Sequence, residues 1–250
     1  MEYFFESSDT IEKGHGFSQF DGLHIGWLIF LVLATVGCCF LYRRLAAHGR
    51  RVMRYVFAVL LFLDELMKTV GLAAFGNWTV DYLPLHLCSV SLFLSIIYAI
   101  KPNKAVGEFL YPIGIPGALA ALLFPTWTKL PILNFMHLHS FTLHIMLVVF
   151  PAMLVAAGEI RPCLRRLPKA LALLACFVPV ALACNLITKD MEVSTNFMFL
   201  MSASEGNPLY LFEQAFGNHL YGFPVLITAV LAVMYAPWLI CDAIKKKKAS

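Results

Sequence analysis

Long apolar stretches separated by short polar segments run along the whole chain. A helix needs about 20 mostly apolar residues to cross the hydrocarbon core of a bilayer. Seven stretches approach that length, at Leu23–Tyr42, Tyr55–Phe75, Leu83–Ile100, Phe109–Phe124, His139–Gly158, Ala170–Ile187 and Phe223–Ile240. The pattern therefore predicts an all-α membrane protein built as a bundle of seven transmembrane helices.

The fourth stretch is the least regular of the seven. Its sequence YPIGIPGALAALLFP places two prolines and two glycines in the first half. Proline removes a backbone donor from a helix, so a kinked helix and a re-entrant segment buried against protein are both open readings.

Composition excludes an ordinary soluble domain. Of the 250 residues, 60% are hydrophobic and 14% are charged, and the mean hydropathy is +0.76. Such a chain is typical of integral membrane proteins. The net charge of +4 does not indicate nucleic acid as a partner, because the positive charges follow the predicted topology.

Basic residues alternate from one predicted loop to the next. Three lie in one set of segments, Lys13, Lys129 and Lys189, whereas the other set holds fifteen: Arg43, Arg44, Arg50, Arg51, Arg54, Lys101, Lys104, Arg161, Arg165, Arg166, Lys169 and Lys245 to Lys248. Cytoplasmic loops carry the excess of Lys and Arg. The prediction is an extracellular N-terminal tail (residues 1–22), a transmembrane domain (23–241) and a basic cytoplasmic tail (242–250).

The second predicted helix contains three charged residues at membrane depth. Lys68 is placed to pair with Asp64 by the i, i+4 spacing or with Glu65 by i, i+3, so one acid is left over. Charged groups in hydrocarbon need a partner or a function. An ion pair that only fixes helix packing is one reading; the other is that the unpaired acid, with Glu65 preferred, faces a hydrated cavity.

The sequence HLHSFTLH concentrates histidines at the start of the fifth predicted helix. His137 and His144 share a face but stand about 10 Å apart along the axis, too far to bind one metal together, and His139 points away from both. The third helix starts with LPLHLCSVSLFLS, where His86 and Cys88 lie on opposite faces. We therefore expect a polar pocket shared between helices. The alternative is that each histidine is a separate interfacial residue and Cys88 a small buried hydrophobe.

Several motifs resemble the YwaF-like family of bacterial integral membrane proteins. They are FSQFDGLH before the first helix, LPLHLCSVSLFL, YPIGIPGALAALLFP, HLHSFTLH, and NFMFL followed by Pro208. That family is similar to eukaryotic multispanning acyltransferases that move fatty acyl chains onto ether lysophospholipids. Their Pro-Cys-His motif corresponds to Pro84, Leu85 and His86, so a leucine occupies the position of the nucleophile.

The resemblance implies a lipid-modifying enzyme that transfers acyl groups to lysophospholipids in a bacterial plasma membrane, with membrane lipids as partners and no cofactor. Cys88 would be the nucleophile, His144 or His86 the base, and Glu65 the residue that orients the base. Lys68, His137, His139 and Asn196 would bind the substrate. Two alternatives stay open: a membrane protein that binds or transports a small solute, and a zinc-dependent membrane hydrolase with ligands from the histidines.

Overall fold

The computed structural model describes residues 3–6, 10–12, 14–203 and 206–249, so the predicted outer residue Lys13 lies outside it. Within these residues the fold is all-helical. The α-helices are α1 (Gly22–Arg44), α2 (Ala47–Ala74), α3 (Leu87–Ile100), α4 (Lys104–Phe109), α5 (Ile115–Leu123), α6 (Phe135–Ala156), α7 (Leu167–Thr188), α8 (Pro208–Phe216) and α9 (Gly222–Ala249). The end of the bundle at which α1, α3 and α6 begin is called the upper end below, and the other the lower end.

Six segments in the described part of the chain are long and apolar enough to cross a membrane. They are Gly22–Arg44, Val80–Ile100, Lys104–Leu123, Phe135–Ala156, Leu164–Thr188 and His219–Lys245. The remaining predicted crossing corresponds to α2. This helix is 28 residues long, but Asp64, Glu65 and Lys68 deprive it of the composition of a membrane span.

The fourth predicted stretch forms one continuous helical segment, long and apolar enough to cross a membrane. Asn103 caps its start by accepting the backbone N–H of Ala105 at 2.7 Å. The helix then widens to a π-helical segment at Leu110–Gly114, which contains Pro112, and continues as α5. The wider turn accommodates the proline without ending the helix.

Side-chain caps set the starts of two long helices at the upper end. Asn134 accepts the backbone N–H of Met136 at 2.9 Å, so α6 begins four residues before the predicted start of this span. Asp21 accepts the N–H of His24 at 2.9 Å and that of Ser18 at 2.8 Å. These backbone donors, His24 first, hold the pKa of the Asp21 carboxyl below its ordinary value.

The helix α6 forms the centre of the bundle. Fifteen of its 22 residues are buried, and it packs against α1, α2, α3 and α5. In contrast, α1 exposes a broad apolar surface that includes Leu33 and Val36, and α9 is also largely exposed. Apolar side chains facing outward are what a lipid-facing helix requires. The polar side chains that face inward are therefore concentrated around α6.

Two ionic networks hold the lower end together. In the first, Glu159 after α6 receives Arg54 of α2 at 2.6 Å and the Tyr42 hydroxyl of α1 at 2.9 Å. In the second, the fully buried Glu108 of α4 lies 3.0 Å from Arg166 Nε, and Tyr235 of α9 donates to its other oxygen at 2.5 Å. Both carboxylates are paired, as burial demands.

The N-terminal segment folds back over the upper end. Phe5 stacks on Phe75 with ring centroids 4.5 Å apart, and its carbonyl accepts the Asn77 amide at 2.7 Å. The Phe135 N–H donates to the Phe4 carbonyl at 2.7 Å, and Phe17 N–H donates to Thr128 O at 2.8 Å. Backbone and side-chain bonds thus attach the predicted tail to the bundle.

Candidate functional site

Titratable side chains from three helices converge in the upper half of the bundle. They are Asp64, Glu65 and Lys68 of α2, His86 and Cys88 at the start of α3, and His139 and His144 of α6; together they form what is called the polar cluster below. The three helices pack against one another in pairs. These seven side chains therefore belong to helices that pack together, whereas the pocket itself stays a prediction.

Lys68 lies at the centre of the polar cluster. Its Nζ is 2.7 Å from Glu65 Oε1, and both side chains are buried. Both His86 and Cys88 are within electrostatic range of its charge. Of the two pairings that the spacing allowed, tertiary packing selects the one with Glu65.

The prediction that Glu65 is the unpaired acid was wrong, whereas its role in orienting the base stays a prediction. Glu65 is the partner of Lys68, although its second oxygen, Oε2, is buried without a hydrogen-bond partner. The acid that meets a histidine is Asp64. Its Oδ2 lies 2.8 Å from His139 Nδ1, with the two atoms poorly aligned for a linear hydrogen bond.

His144 has one free ring nitrogen. Its Nδ1 lies 2.6 Å from the carbonyl oxygen of Ser140. A carbonyl only accepts, so a neutral His144 carries its proton on Nδ1 and keeps a lone pair on Nε2. Trp127 stacks on the ring with centroids 5.5 Å apart, and Asp64 is within electrostatic range. The arrangement is suited to a proton acceptor.

His86 has the opposite tautomer. Its Nδ1 accepts the backbone N–H of Met198 at 3.3 Å, so a neutral ring carries its proton on Nε2 and is a donor there. Phe197 meets the ring edge-on with centroids 5.1 Å apart. His144 is within electrostatic range of His86. A neutral His144 can therefore accept a proton or hydrogen bond at Nε2, whereas a neutral His86 can donate its Nε2–H.

Cys88 is half-buried on the first turn of α3. Lys68 and Glu65 are its charged neighbours. Among the bonds described for this part of the chain, none joins Cys88 to a histidine. The thiol therefore lies inside the polar cluster, next to a cation rather than in a preformed cysteine–histidine pair.

Two residues predicted to bind substrate make hydrogen bonds within the protein. His137 is fully buried and uses both ring nitrogens: Nδ1 donates to Leu130 O at 3.1 Å, and Nε2 accepts from Trp27 Nε1 at 3.1 Å. Asn196 closes a loop, since its amide accepts the N–H of Met201 at 3.0 Å and donates to Ser202 O at 3.0 Å. Neither amide nor imidazole has capacity left for a ligand.

The loop between α5 and α6 lies at the upper end, where its Trp127 stacks on His144. A cleft of about 290 Å³ opens beside it, lined by Phe17, Ser18, Gln19, Phe124, Pro125, Thr126, Thr128, Gly206 and Asn207. None of these residues belongs to the polar cluster, but the cleft touches both neighbours of Trp127, whose ring covers His144. Sequence reasoning missed Trp127, because nothing in the spacing of an irregular loop indicates what it covers.

The geometry offers no ready metal site among the described residues. No group of three or more His, Cys, Asp or Glu side chains is arranged to hold an ion. Three of the histidines that the zinc hypothesis relied on have different partners. His137 bonds to Trp27 of α1, His139 faces Asp64, and His144 bonds to a carbonyl of its own helix. The zinc-dependent hydrolase therefore finds no support in the geometry of these side chains.

Comparison with known families places the chain. A family model described as the TMEM164 family matches residues 19–235, so the chain belongs to the TMEM164 family, a family of multispanning membrane proteins. No curated protein matches the chain, and no solved structure does either. The resemblance to YwaF-like proteins and to acyltransferases stays a prediction.

Proposed function

We propose that this member of the TMEM164 family is an acyl-transferring enzyme of a bacterial plasma membrane, in which the polar cluster holds a phospholipid or lysophospholipid. The observation that carries the proposal is the convergence of seven titratable side chains of α2, α6 and the start of α3, one of them the buried Lys68. Such groups are costly in a membrane unless they serve a site or a structural pairing. Here the lone pair of His144 Nε2, the N–H of His86 and the Cys88 thiol are not used up by structural bonds.

The membrane topology is part of the proposal. We infer seven crossings, with α2 as the second, an external N-terminus and a cytoplasmic C-terminus. Support comes from the length of α2, 28 residues, and from its packing against α3 and α6, which shields Glu65 and Lys68 from lipid. The fifteen basic residues then lie on the cytoplasmic side. The polar cluster would open toward the outer leaflet.

Thiol labelling in intact cells tests this topology. Asp190→Cys and Lys104→Cys place new thiols at exposed positions in two different loops. A membrane-impermeant maleimide should label the first in intact cells and the second only after permeabilisation, with wild-type protein as the control for native thiols. Labelling of Lys104→Cys in intact cells would contradict the orientation.

Each group of the polar cluster has a chemical role in the proposed reaction. The Cys88 sulfur is the nucleophile, with the ammonium of Lys68 among its charged neighbours. His144 accepts and returns protons through Nε2. The N–H of His86 Nε2 and the ammonium of Lys68 hold the oxygen atoms of the substrate, which carry negative charge on the phosphate and develop it on the carbonyl.

The reaction has two balanced halves. First, Cys88 Sγ, its proton passed to His144, attacks the ester carbonyl of a donor phospholipid; the ester C–O bond breaks and the released oxygen takes the proton, giving a lysophospholipid. Second, His144 removes the hydroxyl proton of an acceptor lysophospholipid, whose oxygen attacks the thioester. The C–S bond breaks and the thiol recovers its proton.

A transfer assay with matched variants tests the proposal. Purified protein is incubated with a donor phospholipid and an isotope-labelled lysophospholipid, and the acylated product is measured by mass spectrometry. His86→Ala, Cys88→Ala and His144→Ala should each lower transfer by about 100-fold or more. Cys176→Ala and His48→Ala, which change exposed residues away from the polar cluster, should not. Transfer that persists at the wild-type rate in Cys88→Ala would remove the thioester route.

A second candidate function is the binding or transport of a small polar solute. The π-helical segment Leu110–Gly114 favours it, because π-helical turns disturb the backbone pairing of a helix and occur often at functional sites. Gly114 packs close to Ser91, one turn beyond Cys88, where a Cβ at position 114 would be 3.5 Å from Ser91 Oγ. Uptake of labelled solute by proteoliposomes, without any acyl transfer, would favour this alternative.

A further inference from the structure

The segment Thr195–Ser202, which follows α7, crosses the start of α3 and reaches His86. It is called the strap below. Its Met198 N–H donates to His86 Nδ1 at 3.3 Å, and the rings of Phe197 and Phe199 flank the imidazole at 5.1 and 6.2 Å. The sequence motif NFMFL is the core of the strap. The described contacts of His86 with the rest of the protein therefore come largely from this one segment.

Asn185 of α7 locks the strap from below. Its Oδ1 accepts the N–H of Phe197 at 2.8 Å, and its Nδ2 donates to the carbonyl of the same residue at 3.1 Å. The Thr195 hydroxyl donates to Oδ1 at 2.9 Å. Asn185 and Phe197 are fully buried. An amide that pairs with both backbone groups of one residue defines the position and the direction of the chain at that residue.

The strap holds an unfavourable backbone conformation just where it meets His86. Met198 and Phe199 have φ of 57° and 55°, in the left-handed region that residues with a Cβ avoid. Such conformations persist where the surroundings over-determine them, and they are found at functional sites. Here His219 Nε2 donates to the Phe199 carbonyl at 3.0 Å, and Asn196 bonds to Met201 and Ser202.

We propose that the strap, locked by Asn185, is the positioning device of His86 and holds the neutral ring in the tautomer with the proton on Nε2. The Met198 N–H can bond to Nδ1 only when Nδ1 carries a lone pair. The left-handed turn directs this N–H at the ring. The strap leaves the Nε2–H unused, and Lys68, His144 and Asp81 are the charged or titratable neighbours of the ring.

The consequence for the site rests on the proposed function. With the strap in place, His86 donates a hydrogen bond to a substrate oxygen, whereas without it the proton would distribute between the two ring nitrogens. Asn185 is then a positioning residue that touches no substrate. The tautomer itself is a property of the protein alone and can be measured without any reaction.

Solid-state NMR on the full chain in liposomes, with ring-¹⁵N-labelled histidine, tests the inference. The His86 signals are identified by their loss in His86→Gln. In wild-type protein we expect an unprotonated Nδ1 and a protonated Nε2. Asn185→Ala should produce a mixture of tautomers. Asn134→Ala is the matched control, since Asn134 is equally buried and also bonds to a backbone carbonyl, that of Tyr3, but has no contact with His86.

Each result of the NMR experiment either supports or overturns the role of the strap. A protonated Nδ1 in wild-type protein, or unchanged His86 signals in Asn185→Ala, would overturn the inference. If Asn185→Ala does not fold, Thr195→Val is used, which removes the hydroxyl bonds to Asn185 Oδ1 and Thr188 Oγ1 but keeps the Asn185 amide. An unchanged spectrum again counts against the strap. A tautomer shift in a protein that shows no acyl transfer would keep the positioning role and reject the proposed reaction.

Discussion

His139 Nδ1 of α6 lies 2.8 Å from Asp64 Oδ2 of α2. The contact joins the central helix to α2, whose charged residues deprive it of the composition of an apolar span. On α2 the buried Glu65 is matched by the buried Lys68 of the same helix, and the half-buried Asp64 is matched by a ring nitrogen on another helix. Each charge thus has a partner, as a low-dielectric interior requires.

Removal of Glu65 should destabilise the protein strongly. Glu65→Ala leaves the Lys68 ammonium, 6% exposed, without its counter-charge, and breaking a buried pair in this way costs about 3–5 kcal/mol. Denaturant unfolding in detergent measures the loss. Glu192→Ala, at an exposed position, is the control, and Glu65→Leu combined with Lys68→Leu should recover most of the stability. A Glu65→Ala variant as stable as wild type would show that Lys68 finds another partner.

His137 and His144 should separate stability from turnover. His137→Ala removes two buried hydrogen bonds, to Leu130 and Trp27, and should lower the free energy of unfolding by about 1–3 kcal/mol while folded molecules keep their acyl-transfer rate. His144→Ala should instead lower the acyl-transfer rate about 100-fold, with little change in the free energy of unfolding. Parallel unfolding and transfer measurements on both variants decide. Loss of transfer in folded His137→Ala would return that residue to the site.

Gly71 should control the docking of the N-terminal segment. A Cβ at this position would lie 2.7 Å from Phe5 Cε1, so Gly71→Ala should displace Phe5 and speed hydrogen exchange of the Phe135 N–H, whose acceptor is the Phe4 carbonyl. Gly26→Ala is the control, because nothing lies within 4 Å of a Cβ there.

Phe5→Ala added to Gly71→Ala tests the cause of this displacement. The smaller side chain makes room for the new Cβ, so exchange at Phe135 should move back toward the wild-type rate. Exchange that is slow in Gly71→Ala itself would show that the segment adjusts without leaving the bundle.

Glu108 should hold α4, α7 and α9 together at the lower end. Glu108→Gln keeps the shape but removes the charge that Arg166 Nε meets at 3.0 Å and Tyr235 at 2.5 Å. Hydrogen bonds to a charged group are worth about 1.5–3 kcal/mol, and we expect a loss of that size in thermal or denaturant unfolding. Glu192→Gln should leave stability unchanged. Equal stability of the two variants would mean that the network is replaceable.

Two helices begin earlier in the structure than hydrophobicity alone predicted. The prediction placed the second span at Tyr55, but α2 begins at Ala47, because Arg50 and Arg54 pair with the end of α1 and with Glu159 instead of ending the helix. The fourth span was predicted from Phe109, but Asn103 caps it six residues earlier. Hydrophobicity locates the part of a helix that lies in lipid, whereas caps and ion pairs decide where the helix begins.

The spacing of residues within one helix showed which side chains cannot share a site, but only helix packing determined which side chains meet. The spacing of His137 and His144 ruled out a shared site within one helix, and in the structure the two rings bond to different groups. The same argument for His86 and Cys88 assumed that both are helical, but His86 precedes α3 as its N-cap in an extended conformation. Spacing also allowed Lys68 to pair with either Asp64 or Glu65, and the structure shows the pair with Glu65. Spacing could not show that Trp127 covers His144 or that Asn185 locks the strap. These partners come from loops and helices distant in the sequence.

The sequence by itself determined that this protein is an all-helical membrane protein, because apolar stretches of bilayer length and sparse charge leave no other class of fold. It also determined which side chains needed partners at membrane depth. The tertiary structure alone decided the partners: Asp64 with His139, Lys68 with Glu65, His86 with Met198. The reason is that hydropathy is a property of each segment, whereas a contact depends on how helices rotate and pack against one another.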